Sequence, residues 1–246
     1  MKTLLQLILA ILLASPLYAA QTLVLGTADR PPLSTEDHKG FSDRVIIEAC
    51  KRLGIEAKII PLASARTLSN AEQALDDGNF LRIAGAEKKF PNLVRVPEPI
   101  IEVQFVIFSK NKELKTPSWE SLKPYHVGHV RGWLIAEEKI KDVRQITVVE
   151  NRTSLFKVLE NDRIELAFAE LYGGYYLMHT LNLPHLSIAQ PPLATKEMFL
   201  YLNKKHEKLV PKLAKALREM KRDGSYDAIF KQTLAPYLPA KYHRKP

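Results

Sequence analysis

The segment "DDGNFLRIAGAEKKFPN", residues 76–92, sets a guanidinium inside what reads as a buried strand. Strand alternation puts Phe80, Arg82 and Ala84 on one face and Leu81 and Ile83 on the other. A charge buried there without a partner costs several kcal/mol. Two arrangements meet that cost. Arg82 forms a salt bridge with a nearby acid such as Asp76, Asp77 or Glu87, or it reaches a cleft and clamps a carboxylate or phosphate through paired N–H bonds. The two are compatible, because an acid behind the guanidinium can hold it for a ligand in front. Arg66, in "PLASARTLSN", follows the preceding strand and can point into the same space, with Asn70 one helical turn on. An exposed arginine at a helix start fits that spacing equally. Asp29 lies past the end of the first strand, where turn chemistry around Pro31 and Pro32 accounts for an acid about as well as ligand binding does.

The second half of the chain offers a complementary set. In "VRGWL" a strand passes into a helix, so Gly132 admits close backbone approach and the helix N-terminus favours an anion. Arg131 adds a charge there, and Trp133 is either an aromatic wall or a piece of core. Glu170 ends the strand "IELAFAE" as a ligand-facing acid or as a favourable charge in the first turn of the next helix. Metal chemistry finds little support. His126 and His129 stand three apart on a strand, face opposite sides, and do not easily share one ion. The single cysteine, Cys50, shares a helical face with Phe41, Val45, Ile46, Ala49 and Leu53 and reads as a small buried hydrophobe. With no nucleophile–base pair and no glycine-rich phosphate loop, neither metal nor cofactor is expected.

These residues need elements to hold them. "TLVLGT" reads as a strand, 41–53 as a helix ended by Gly54, "IEAKIIPLA" as a strand, "RTLSNAEQALDDG" as a helix and "FLRIAGA" as a strand. That alternation signals a parallel sheet with helices on both faces. The extended run "IIEVQFVIFS" follows, and the pattern repeats: strands at "YHVGHV", "ITVVE", "IELAFAE" and "LSIAQ", with helices at "WLIAEEKIK", "TSLFKVLEN" and "LYGGYYLMHTL". "KEMFLYLNKK" is extended again, and two helices broken at Asp223 and Gly224 close the chain. Two α/β units joined by two extended crossings make two lobes with a hinge. The expected division is residues 21–105 and 200–246 for lobe 1 and 106–199 for lobe 2. Ligands of parallel sheets sit beyond the carboxyl ends of the strands, here in the cleft between lobes.

The ends say where such a protein works. "MKTLLQLILAILLASPLYAA", residues 1–20, carries an early lysine, a short apolar run and terminal alanines, the layout of a cleaved signal peptide. The expected mature chain is exported, without a lipid-bearing cysteine, and suited to a periplasm as a monomer. The formal net charge of +9 is spread along the chain and favours anionic small molecules. Nucleic acid is not expected as a partner, since basic and aromatic residues are not interleaved.

Several stretches, in order, resemble the family 3 solute-binding proteins of bacterial ABC transporters. They are "PPLS" after the first strand, "GFSDRVIIEACKRLG", "FPNLVRVPEPI", "YHVGHVRGW" and "ALREMKRDGSYDAIFKQTL". The resemblance spans nearly the whole mature chain and implies a two-lobed type II periplasmic binding fold, a small-molecule ligand and an inner-membrane permease as partner. It departs at one point. Amino-acid binders of that family follow the third strand with a threonine-rich turn and an arginine that clamps the ligand's carboxylate. Here "GAEKKF" puts Glu87 and Lys88 in that place, and Arg82 inside the strand resembles a divergent branch. Glu170 takes the place where members often carry an aspartate for the ligand's amino group. Two other functions fit the same scaffold: a periplasmic dehydratase of cyclic acids, with Glu170 or His129 as general acid, and a sensor that docks on a membrane receptor.

Overall fold

The structure, a computed structural model, describes residues 21–243 apart from Asp29 and Pro117; the expected signal segment 1–20 lies outside the described residues. In the first sheet, β1 (Gln21–Thr27) lies between β2 (Ile55–Pro61) and β3 (Gly78–Arg82), parallel to both. The crossovers are α1 (Phe41–Lys51) and α2 (Ser64–Glu72). α1 turns Phe41, Val45, Ile46, Ala49 and Cys50 inward, all fully buried, and Gly54 with φ of +69° ends the excursion. The second sheet repeats the plan. β6 (His126–Val130) lies between β7 (Gln145–Val149) and β8 (Leu166–Glu170), again parallel. α3 (Leu134–Lys139) and α4 (Arg152–Glu160) cross over, and α5 (Leu171–Thr180) follows β8.

Two long antiparallel strands join the sheets. β5 (Ile101–Ser109) and β10 (Ala194–Asn203) pair with each other over residues 101–105 and 194–198. Beyond that stretch β5 pairs with β8, and β10 pairs with β3. Hydrogen bonding therefore runs unbroken in the order β2-β1-β3-β10-β5-β8-β6-β7. Two short strands lie off this path. β4 (Leu93–Arg95), which the sequence did not announce, pairs with β10, and β9 (Ser187–Ile188) pairs with β5. The chain closes with α6 (Val210–Asp223) and α7 (Ser225–Thr233), separated by Gly224 at φ of +79°.

Each sheet has its own core. Around the first, Leu23, Leu25, Phe41, Ile46, Phe80, Leu200, Leu217 and Tyr226 pack together, with the Phe41 ring edge-on to Tyr226 at 5.2 Å. Around the second, Phe108, Leu155 and Phe156 fill one face, and Val127, Phe168 and Ile107 the other. Helix α5 also reaches the closing segment through four edge-on ring pairs. These are Tyr172 with Phe230 at 6.5 Å, Tyr175 with Tyr242 at 5.6 Å, Tyr176 with Tyr237 at 5.0 Å and His179 with Tyr237 at 5.4 Å.

Candidate functional site

Strand alternation fails at Leu81. That residue takes φ of +59°, and the register of β10 slips between Phe199 and Leu200. Phe80 opposes Leu200, but Arg82 opposes Phe199. Adjacent residues of β10 face opposite ways, so Phe80 and Arg82 do too, contrary to the shared face expected from the sequence. A β-bulge of this kind re-aims one side chain. Phe80 and Leu81 join the core beneath α1, whereas Arg82 turns toward α2 and donates from Nη2 to the Thr67 hydroxyl. Thr67 is fully buried, and a Cβ on Gly26 would lie 3.1 Å from its own Cβ, so β1 and α2 close tightly around it. The Thr67 carbonyl accepts from Asn79 Nδ2 at 3.3 Å.

The three acids proposed for Arg82 are each engaged elsewhere. Asp76 accepts from Asn70 Nδ2 at 3.0 Å, which commits Asn70 to its own helix end. Asp77 accepts from the Val24 N–H at 2.8 Å and lies 2.6 Å from His206 Nε2 and 2.8 Å from Lys205 Nζ. Burial by itself would raise the Asp77 carboxyl, but these bonds outweigh it and hold the group below its ordinary value. Glu87 accepts from the Tyr201 hydroxyl at 2.7 Å and the Gly85 N–H at 3.1 Å, and the Tyr201 bond above all lowers its carboxyl.

The second sheet pairs the expected Glu170 with an arginine that the sequence did not announce. Glu170 ends β8 and caps α5, its Oε1 accepting from the Gly173 N–H at 2.7 Å. The same oxygen pairs with Arg152 Nη1. Arg152 opens α4 behind Asn151, whose Oδ1 caps that helix through the Ser154 N–H at 2.8 Å. Both members of the pair are about nine-tenths buried, their side chains 10% and 9% exposed. Gly173 makes the space, since a Cβ there would collide with the Arg152 guanidinium and the Glu170 carboxylate. Arg152 Nη2 then donates to the Pro31 carbonyl at 3.4 Å, in the loop that follows β1. A helix-start arginine reads from sequence as a surface residue. The available signal was the Gly173–Gly174 pair opening the next helix, a costly choice unless something bulky packs there.

The other expected residues are engaged locally. Arg131 pairs with Glu150 at 2.8 Å, both largely exposed. Gly132, at φ of +78°, donates its N–H to Glu137 Oε1 at 2.7 Å. Trp133 packs edge-on against Phe105 and Phe168, each at 6.2 Å, and so helps build the second core. Arg66 is exposed on α2. Asp29 lies outside the described residues. His126 Nε2 lies 2.7 Å from the Thr147 hydroxyl, and the buried His129 has Nδ1 3.1 Å from the Val130 carbonyl. Among the described residues no three side chains are grouped as metal ligands.

A cavity of about 300 Å³ opens where β3 ends, lined by Ile83, Ala84, Thr195, Lys196, Glu197 and Phe199. Two of its lining residues, Ile83 and Phe199, are the chain neighbour and the register partner of Arg82, which does not itself line it. Ile83 is 46% exposed, unusual for an isoleucine just past a central strand and fitting for the wall of a site. Arg152 thus meets the loop after β1 from the second sheet, and Arg82 meets Thr67 of α2 from the first.

The pattern matches the model of the bacterial extracellular solute-binding proteins, family 3, over residues 23–235. The chain belongs to that family. Its fold is the type II periplasmic binding fold, two α/β lobes on a double-crossover hinge. This family 3 chain is 26% identical over 208 residues to an uncharacterized protein of Shewanella oneidensis, covering 81% of this chain and 78% of the relative. Among solved structures it is similar to a variant of an arginine-binding protein from T. maritima, with a TM-score of 0.71 at 21% identity, covering 87% and 95% of the two chains. It also resembles a histidine kinase sensor domain described as similar to periplasmic binding proteins, with a TM-score of 0.71 at 17% identity, covering 88% and 96%. At these identities the solved structures show the fold alone. Among the described residues no helix is long and apolar enough to cross a membrane.

Proposed function

We propose that this chain is a periplasmic solute-binding protein that captures a small polar or anionic molecule between its lobes and delivers it to an ABC-type permease. The ligand is amino-acid-like or an organic acid, and it leaves unchanged. The observation that carries this is the bulge at Leu81, which turns a guanidinium out of the core toward Thr67 beside an open cavity. Lobe boundaries at 105/106 and 199/200 are part of this reading; in support, β5 changes partner at Phe105 and β10 between Met198 and Phe199. Residues 1–20 act as the export signal, and the mature protein works as a monomer.

A thermal-shift screen of residues 21–246 against amino acids, di- and tricarboxylates, amines and small phosphates tests the proposal. A ligand at 100 times its Kd stabilises by about 2.7 kcal/mol, which raises Tm by roughly 5–10 °C in a chain of this size. The hit should vanish in Arg82→Ala while the variant remains folded. A hit untouched by that change returns Arg82 to a structural role, and a screen without hits removes the proposal. The likeness to a kinase sensor domain favours one second assignment, a binding protein read by a membrane receptor instead of a permease. Pull-down from membranes with and without ligand separates the two.

A further inference from the structure

We propose that the first lobe carries a docking face for an anionic phospholipid surface, built from the exposed cations of residues 204–222 and from Leu75. The face is separate from the cleft, and it stands whatever the solute is.

Residues 204–222 hold eight cations and two acids, so most of the chain's formal net charge of +9 is gathered there. A short 3-10 helix (Lys204–Leu209) follows β10 and leads into α6. α6 buries Val210, Leu213, Ala214, Leu217 and Met220 and turns Lys212, Lys215, Arg218 and Arg222 to solvent. Lys204, Lys205 and Lys208 are exposed just before it. Part of this charge is compensated. Lys205 pairs with Asp77 at 2.8 Å and Lys221 with Glu98 at 2.7 Å, while Lys215 lies 3.7 Å from Glu219 and Arg218 3.7 Å from Glu98. The side chains of Lys204, Lys208, Lys212 and Arg222 form no ion pair among the described residues. The arrangement works against the helix. Lys212, Lys215, Arg218 and Arg222 follow at three- and four-residue spacing, where like charges destabilise, and Lys212 opposes the dipole in the first turn.

The second observation is Leu75. It is 69% exposed, more than any other large apolar side chain described. Ala74 before it takes φ of +60°, and the Ala74 carbonyl accepts from Lys205 Nζ at 3.2 Å, so the leucine stands beside the cations. One apolar side chain among lysines suits a lipid headgroup layer: the leucine enters the acyl boundary and the flexible ammonium groups meet scattered phosphates. An acidic protein surface fits less well, because the patch lacks the aromatic anchors of a protein interface. Leu75 precedes β3, whose Gly78 pairs with Leu202 near the end of β10. Leu75 and Lys204 to Lys208 therefore lie at the amino end of β3, opposite the cavity that opens where that strand ends. Attachment there leaves the cavity open.

Sedimentation of mature protein, residues 21–246, with sucrose-loaded vesicles tests this. Vesicles of phosphatidylglycerol and phosphatidylethanolamine should bind it at low salt, and vesicles of phosphatidylcholine about tenfold less or weaker. Lys208→Gln with Lys212→Gln should weaken binding about 25-fold, roughly fivefold for each cation, and flatten its dependence on salt. Leu75→Ser should weaken it several-fold with the salt dependence unchanged. All three positions are exposed, so the variants keep the fold, which circular dichroism verifies. Lys141→Gln with Lys157→Gln removes the same charge from exposed sites on the second lobe and should leave binding within about twofold. An equal loss from that pair assigns the attraction to net charge and overturns the proposal. So does wild-type protein that ignores anionic vesicles at low salt. Protein that ignores vesicles but crosslinks through Lys208 or Lys212 to an acidic membrane protein gives the face to a protein partner and overturns the lipid assignment.

Discussion

Gly174→Ala adds one methyl group in the first turn of α5, and its effect can be worked out from its neighbours. A Cβ at 174 would run into three atoms of the Phe108 ring. That ring is fully buried, lies 5.0 Å from the Phe156 ring, and hangs from a backbone paired with Ala167 on one side and Ile188 on the other. It cannot withdraw without moving Phe156 or the strand. Overpacking of this kind costs about 1–3 kcal/mol. Against it, alanine gains up to about 1 kcal/mol of helix propensity over glycine. The closest contact would be 1.9 Å, which puts the cost at the upper end of that range, about 2–3 kcal/mol, and leaves a net loss of about 1–2 kcal/mol and a Tm lower by about 2–8 °C. Thermal melts followed by far-UV circular dichroism measure this directly. Phe108→Leu in the same chain makes room, so the double variant should be more stable than the sum of the single effects by about 1 kcal/mol. A Gly174→Ala protein that melts at or above wild type, or strict additivity with Phe108→Leu, would refute the reasoning.

Three further outcomes are expected. Asp77 has a folded-state pKa below its ordinary 3.8, so its contribution to stability is present above that pH and fades as pH falls through the lower folded value. Asp77→Asn should therefore lower Tm at pH 7, with the gap closing below pH 4; a constant gap across a melt series contradicts the shift. Burial pushes the Cys50 thiol up to about 12, so Ellman's reagent at pH 8 should label it only after denaturation, and prompt labelling of folded protein would show the pocket to be open. Thr67→Val removes the hydroxyl acceptor of Arg82 at constant shape and should cost about 1.5–3 kcal/mol in urea titrations, the range for a hydrogen bond to a charged group. An unchanged midpoint would mean that the hydroxyl adds nothing to the arginine's placement.

The order of strands and helices was legible in the sequence because burial on both faces of a parallel sheet leaves apolar runs, and the crossover helices leave 3.6-residue stripes. Cys50 belonged to such a stripe and is buried with it. Arg82 was legible as an anomaly, but its direction was not. Alternation holds only while register is kept, and a leucine at positive φ has no sequence mark that separates it from any other strand leucine. Arg152 escaped for a different reason. Its partner is 18 residues away and its space is made by Gly173, so nothing local distinguishes it from a solvated helix start. Trp133 shows the converse: a residue type that stands out in a loop became part of the second core because Phe105 and Phe168 offered it ring edges.

The four ring pairs between α5 and the closing segment change how the hinge works as a mechanism. Two adjacent strands alone would form a ribbon, which bends but also twists. A third support, set apart from the ribbon and made of edge-on rings that roll over one another, resists the twist and tolerates the bend. A door hung this way swings about one axis. On the proposed binding function, closure would reduce to a single angle, and that angle alone would report whether a solute is held.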